Sequence, residues 1–213
     1  MSGRLTREQS RAQTRARLLD AAAELFAENG VNGASVEQIA ERAGYSRGAL
    51  YGNFADKHEL TMALLEQRTR REYDEVRALA AGAGSSEEAQ EALRAWHRER
   101  ARHLDGWLAL RTELWLYAVR QPQARPAVAD GERFARDAIA TGLRREFDAA
   151  GVTPPADVDR LALIVHALGD GLLMQRALTP REIPEEVAAD AVALLLRALV
   201  ALAREGERAG AGA

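Results

Sequence analysis

The stretch from Ser35 to Lys57 restricts the fold of this chain more than any other part of its sequence. Ser35 is suited to be a helix N-cap, and Gln38 three residues later completes a capping-box pattern. Gly44 is suited to the left-handed backbone conformation that ends a helix. Between them lies an apolar face at helical spacing, formed by Val36, Ile39, Ala40 and Ala43. The stretch therefore predicts a short helix followed by a tight turn.

A second short helix is predicted directly after this turn. Ser46 would cap it, and Leu50 and Phe54 would face inward at i, i+4 spacing. A small residue where two helices cross, a glycine in the turn and an apolar residue after it are the requirements of a helix-turn-helix. The second helix is short enough to enter the major groove of DNA by its end. Its exposed face would carry Tyr45, Arg47, Ala49, Gly52 and Asn53.

The same stretch resembles the DNA-binding domain of the TetR/AcrR family of transcriptional regulators. Residues 44–57 carry the match and read G-Y-S-R-G-A-L-Y-G-N-F-A-D-K. The family pattern is an apolar helix, a glycine turn, and a short helix that ends in Leu-Tyr-x-x-Phe and is followed by a lysine. Asn53 departs from this pattern, because many members have a histidine or another aromatic residue there. An asparagine can still donate to a phosphate.

The resemblance implies a three-helix domain that binds double-stranded DNA. A first helix, predicted over residues 10–29 and ended by Gly30, would pack across the helix-turn-helix. The residues assigned to base contacts are Tyr45, Ser46, Arg47 and Ala49, with Gly48 among them. The residues assigned to phosphate contacts are Ser35, Tyr51, Asn53 and Lys57.

The distribution of charge fits a DNA-binding domain better than the net charge does. The formal net charge is −3, but residues 1–17 contain five arginines and one acidic residue, Glu8. The only lysine, Lys57, lies where the family has a phosphate contact. High arginine and alanine contents are also typical of GC-rich genomes. The N-terminal arginines are therefore interpreted equally as a solvated face or as a surface that attracts phosphates.

The rest of the chain predicts helices only. Apolar residues recur at helical spacing, with no alternating strand pattern and no internal repeat. We predict an all-α fold of about nine helices in two domains. A helix-turn-helix DNA-binding domain would occupy residues 1–55, a ligand-binding and dimerisation domain residues 56–205, and a disordered tail residues 206–213.

The last two long helices, predicted over residues 156–177 and 185–203, are apolar over more than one face. The family resemblance implies that they pair with their twofold mates in a four-helix homodimer interface, with Leu195 and Leu199 in the contact. The alternative is a larger monomeric core. Recognition of a palindromic operator independently requires two DNA-binding domains, which favours the dimer.

A small-molecule pocket is the second expectation for the C-terminal domain. All three tryptophans lie between residues 96 and 115. Each single aromatic residue fits a packed core best, whereas the group also fits a pocket for a hydrophobic or aromatic effector. His166 and Asp170 can bond each other at i, i+4, which is most simply a satisfied polar contact. The candidate ligand-binding residues are Trp96, Arg100, His103, Trp107, Leu110, Glu113, Leu114, Tyr117, His166 and Asp170.

Other classes of function find little support. The chain has no nucleophile elbow, no phosphate-binding glycine loop and no HExxH pattern, and its four histidines lack metal-ligand spacing. It has no cysteine, which excludes disulfides and thiol chemistry. No signal region is evident, and no run approaches the roughly 20 apolar residues of a membrane span. We predict a cytoplasmic protein without enzymatic activity, cofactor, metal or membrane contact.

The sequence thus predicts a ligand-responsive transcriptional regulator. The simplest form is a repressor that a small molecule releases from its operator. The alternative is a constitutive DNA-binding protein, or an activator, with the same helix-turn-helix and no inducer pocket.

Overall fold

The computed structural model of the chain describes residues 6–82, 86–101 and 104–211. This part of the chain contains helices and no strand, which confirms the all-α prediction. A short 3-10 helix, Pro122–Ala124, precedes α7. The α-helices in these ranges are α1 (Arg7–Gly33), α2 (Val36–Arg42), α3 (Arg47–Tyr51), α4 (Lys57–Gly82), α5 (Ser86–Ala101), α6 (Leu104–Arg120), α7 (Arg125–Ala150), α8 (Val158–Leu178) and α9 (Val187–Ala211).

Helix α1 starts earlier than predicted and is interrupted near its end. Thr6 and Gln9 form a capping box, in which each side chain accepts from the other residue's backbone N–H. Gly30 has φ 76°, a left-handed value that removes it from the helical path. The regular part of α1 therefore ends at the glycine where the sequence predicted a stop.

The chain divides into two compact units. The first, called the head, comprises Met1–Arg70 and Asp105–Ala129, and the second, called the body, comprises Arg71–Leu104 and Asp130–Ala213. The head thus includes residues well beyond the predicted boundary after residue 55, because α6 contributes to its core.

The C-terminal segment differs from its prediction. Helix α9 continues to Ala211, so the expected disordered tail over 206–213 is wrong for residues 206–211. The carboxylate of Glu207 accepts a hydrogen bond from the backbone N–H of Thr153 at 2.8 Å. This contact fastens the last turns of α9, and extending an existing helix past Gly206 costs only about 1 kcal/mol.

One buried cluster forms the core of the head. Phe26 from α1, Ile39 from α2, Leu50 from α3 and Leu64 from α4 are fully buried. Leu110, Leu114 and Ala118 place α6 in the same cluster. The helix-turn-helix is therefore held on its inner side by three longer helices.

The core of the body lies between α7, α8 and α9. Its buried residues are Ala140, Leu143, Phe147, Leu161, Ala162 and Val165, with Leu195 and Leu199 of α9 partly buried against them. Among the described helices, α8 is long and apolar enough to cross a membrane by length and composition, a test that core helices of soluble proteins also pass. Asp170 and Arg176 interrupt this helix, so it contains no unbroken run of about 20 apolar residues.

Candidate nucleic-acid interface

The helix-turn-helix forms through the local contacts that its sequence predicted. The hydroxyl of Ser35 accepts from the N–H of Gln38 at 3.1 Å, and the Gln38 side chain accepts from the N–H of Ser35 at 2.8 Å. Gly44 has φ 76°. The N–H groups of Gly44 and Tyr45 donate to the carbonyls of Glu41 and Ala40, which is a Schellman motif. The turn is therefore fully hydrogen-bonded on its backbone.

Helix α3 is amphipathic over only five residues. Its N-cap Ser46 accepts from the N–H of Ala49 at 3.2 Å. Leu50 and the following Phe54 are 0% and 1% exposed. Because the caps use the acceptor function of the Ser35 and Ser46 hydroxyls, each O–H can still donate to another acceptor.

The outer face of α3 carries the predicted base contacts. Arg47 and Gly48 are exposed, and Tyr45 and Ala49 are partly exposed. The Arg47 guanidinium pairs with the carboxylate of Glu37 at 2.9 Å and lies 5.4 Å from the centre of the Tyr51 ring. An exposed ion pair of this kind contributes little to stability, so Arg47 can exchange Glu37 for a base edge at small cost.

Two predicted phosphate contacts lie at the end of α3 and at the start of α4. Tyr51 is 43% exposed. Lys57 begins α4 and is partly buried, and this burial lowers the pKa of its ammonium group. A neighbouring phosphate would favour the charged form of Lys57 again.

Asn53 has a structural contact in place of the predicted one. Its amide nitrogen donates to the carbonyl of Ala49 at 2.8 Å, and its amide oxygen is buried with no hydrogen-bond partner. The backbone carbonyl of Asn53 accepts from Arg15 at 2.9 Å. The side chain therefore closes the end of α3 in this conformation, and donation to a phosphate stays a prediction.

Arg15 is a residue whose role the sequence did not reveal. Its guanidinium lies 4.2 Å from the centre of the Phe54 ring while it bonds Asn53. It thus packs α1 against the end of α3. This role differs from the two that were predicted for the N-terminal arginines, a solvated face and a surface that attracts phosphates. Arg7, Arg11 and Arg17 are exposed on the same helix.

Helix α6 supports the head through residues that were predicted to bind a ligand. The Glu113 carboxylate accepts from the N–H of Val31 at 3.1 Å, beside the interruption of α1 at Gly30. The hydroxyl of Tyr117 forms a short hydrogen bond with Nδ1 of His58, and burial raises the pKa of this tyrosine. Leu110 and Leu114 are core residues.

The remaining ligand candidates lie in both units. In the head, Trp107 is partly exposed and its ring lies 5.1 Å from the Arg111 guanidinium. In the body, Trp96 donates to Glu75 at 3.3 Å. His166 lies 2.8 Å from Glu132 and 3.4 Å from Asp170. The side chains of Arg100 and His103 lie outside the described residues. A shared ligand pocket stays a prediction.

The apolar surface of the body differs from the predicted one in detail. Leu195 and Leu199 are partly buried against the body core, so their place in a dimer contact stays a prediction. Leu195 is adjacent to the exposed Leu194, and Leu199 lies three residues before the exposed Leu202. The large exposed apolar residues of α8 and α9 are Leu163, Ile164, Met174, Leu178, Leu194 and Leu202.

Comparison with known proteins accounts for both parts of the chain. Residues 18–64 match the family of bacterial regulatory proteins of the tetR type, and residues 87–203 match the C-terminal domain of BetI-type transcriptional repressors. The chain is 27% identical over 164 residues to the HTH-type transcriptional repressor AcnR of Corynebacterium efficiens, covering 77% of this chain and 82% of that protein. It is 33% identical over 182 residues to an HTH-type transcriptional repressor of Mycobacterium tuberculosis, covering 84% and 89%.

The fold is shared with solved structures. A transcriptional regulator of Pseudomonas aeruginosa PAO1 superposes with a TM-score of 0.73 at 23% identity, covering 93% of each chain. The relatives and the family are transcriptional regulators rather than enzymes. From the two family matches, the capped helix-turn-helix and the helical body, it follows that this chain is a transcriptional repressor of the TetR family.

Proposed function

We propose that the protein is a homodimeric, cytoplasmic repressor that binds a palindromic operator through its two heads and is released by a small-molecule effector. The DNA-binding part of this proposal is supported by one observation, the division of α3 into an inner and an outer face. Leu50 is fully buried on the inner face, whereas Arg47 and Gly48 are exposed on the outer face. A helix held in this way presents its polar N-terminal residues to the major groove.

The contacts to DNA follow from this arrangement. Tyr45, Ser46, Arg47 and Ala49 contact base edges, and Arg47 leaves Glu37 to do so. The hydroxyls of Ser35 and Tyr51 and the ammonium group of Lys57 contact phosphates, which position the head without reading sequence. Gly48 lies between Arg47 and Ala49 with no Cβ, so the backbone of α3 can approach the groove closely.

The exposed apolar residues of α8 and α9 support the dimer part of the proposal. Leu178, Leu194 and Leu202 are 70%, 62% and 55% exposed, which leaves most of each apolar side chain in water. Large apolar residues exposed on two helices that pack together favour an interaction site there. A second copy of the same chain would cover it by twofold symmetry and would provide the second head that a palindrome requires.

Effector release requires a path from a ligand to the head. Within the head, Glu113 bonds α6 to α1 and Tyr117 bonds α6 to α4. A displacement of α6 must therefore either carry the helix-turn-helix with it or break these two contacts. We infer that the effector acts by shifting α6 and so the orientation of each recognition helix.

Selection of bound sequences from random double-stranded DNA tests this proposal. We expect a palindrome whose half-sites are centred roughly 34–36 Å apart, or a multiple of that distance. Effectors can then be sought as aromatic or hydrophobic compounds that raise the melting temperature. A true effector lowers DNA affinity by some factor, and DNA lowers effector affinity by the same factor. Selection of a single, non-repeated site would contradict the proposal.

A further inference from the structure

Three side chains in the body converge although they come from two helices. His166 and Asp170 project from successive turns of α8, and Glu132 projects from α7. Nε2 of His166 lies 2.8 Å from one oxygen of Glu132 and 3.4 Å from one oxygen of Asp170. One potential ligand atom from each residue lies within 4.8 Å of the other two. The sequence did not indicate Glu132, which is 34 residues from His166.

The chemistry of this cluster suits a divalent cation, since it offers one imidazole nitrogen and two carboxylates. The three side chains are 13–24% exposed, so water screens them only in part. A divalent ion could be held by the neutral imidazole and one oxygen of each carboxylate.

The ligand set also fits a particular class of metal. Imidazole nitrogen with two carboxylate oxygens suits first-row divalent transition metals such as zinc and cobalt. With metal–ligand bonds of about 2.1 Å, two ligands of a tetrahedral ion are about 3.4 Å apart. The two distances from Nε2 of His166, 2.8 Å and 3.4 Å, are close to this value, so small side-chain rotations would close the site.

We propose that Glu132, His166 and Asp170 form a binding site for a first-row divalent transition-metal ion that links α7 to α8. Three protein ligands leave at least one coordination position for water or for an oxygen donor of a small molecule. Glu132 and Asp170 make further interactions in the protein, which the bound ion would share or displace. The site is distinct from the DNA-contacting residues and does not depend on them.

Titration of the chelator-treated, tag-free protein with ZnCl2 and CoCl2 tests the proposal. The chain contains no cysteine, so thiolates cannot provide competing sites. We expect one ion per protomer by calorimetry and a cobalt absorption spectrum typical of low-symmetry nitrogen and oxygen coordination. We also expect zinc to raise the melting temperature, because an ion bound only by the folded state stabilises it.

Three variants assign the site. His166→Ala should weaken zinc affinity at least about 100-fold, since even loss of an outer-shell partner costs about 10–100-fold. Glu132→Gln keeps the shape of the side chain and should lose the zinc-dependent rise in melting temperature. Asp137→Asn removes an exposed carboxylate from the same helix α7 and should bind zinc like the original protein.

Each variant is judged by the change in melting temperature that zinc causes. A loss of stability without zinc therefore cannot be mistaken for a loss of zinc binding. If His166→Ala does not fold, Glu132→Gln alone decides the question. The proposal is overturned if the unmodified protein binds neither ion, or if Glu132→Gln and His166→Ala bind zinc with unchanged affinity and stoichiometry.

Discussion

The head and the body fill their interiors in different ways. Among the described residues, the largest fully buried side chains are Phe26, Phe54, Leu18, Ile39, Leu50, Leu60, Leu64 and Thr61 in the head, and only Phe147 in the body. The body instead leaves large residues of its long helices exposed, such as Leu178 and Leu194. The head therefore contains most of the large side chains that are fully buried, although Val119 of α6 is 65% exposed. The body has apolar surface that a single chain does not cover, and this is why we assign the dimer contact to it.

A pair of matched leucine truncations tests this comparison and has the largest expected effect. Leu50→Ala removes a fully buried side chain from the head core and should cost about 2–5 kcal/mol of unfolding free energy. Leu194→Ala removes a 62% exposed side chain and should cost little at low protein concentration. Denaturant unfolding at several concentrations measures both.

The dependence on concentration separates the two units. If α9 forms the dimer contact, the effect of Leu194→Ala should grow as the protein is concentrated, because a dimer is stabilised by mass action. The effect of Leu50→Ala should not change. Equal costs for the two substitutions at every concentration would show that the two interiors do not differ as described.

Arg47→Ala examines the function of the head with its core left intact. It should lower operator affinity roughly ten- to a hundred-fold and relax discrimination at one base position, since a base-contacting arginine is lost. Fluorescence anisotropy with the selected operator and single-base variants measures this. Arg71→Ala removes another exposed, ion-paired arginine in the body and serves as the control. An unchanged sequence preference in Arg47→Ala would mean that another face of α3 reads the bases.

The Glu113→Ala substitution tests whether α6 stabilises the head through its hydrogen bond to α1. It removes the acceptor for the Val31 N–H and should cost about 1–2 kcal/mol, concentrated near the interruption of α1. Glu113→Gln keeps an oxygen acceptor and should cost less. Amide hydrogen exchange should show faster exchange at Val31 in the alanine variant, with little change in the body. Uniform acceleration in both units would argue against this local role.

Lys57→Ala should produce the smallest change in DNA affinity, and the change should be the same for every DNA sequence. Loss of one phosphate contact weakens specific and non-specific sites alike and lowers the slope of log affinity against log salt by about one. Anisotropy titrations over a range of salt concentrations measure the slope. A change in base preference without a change in slope would assign Lys57 to the bases instead.

The accuracy of sequence-based prediction differs between local and long-range contacts, for a physical reason. Caps and turns depend on residues three to five positions apart, so Ser35, Gln38, Gly44 and Ser46 could be assigned to atomic contacts from sequence alone. The bond from Glu113 to Val31 joins residues 82 positions apart, and no local pattern indicates it.

The body shows the same limit on its surface. Leu194 and Leu195 are neighbours in one broad apolar stripe, yet one is exposed and the other packs inward. The stripe predicts that the helix is buried on more than one side, but only packing decides which leucine faces which partner. The convergence of Glu132 on His166 is likewise a product of how α7 packs on α8.

We propose that the exposed apolar surface of the body joins two chains and so holds two heads on one operator. Sedimentation of the Leu194→Glu, Leu202→Glu double variant, alone and with the selected operator, tests it most directly. Both side chains are exposed in the single chain, so the variant should keep its helical circular dichroism. Charges buried in a dimer contact are costly, so it should sediment as a monomer and lose most of its affinity for the palindrome. A variant that remained dimeric, or a monomer that bound the palindrome with unchanged affinity, would contradict the account.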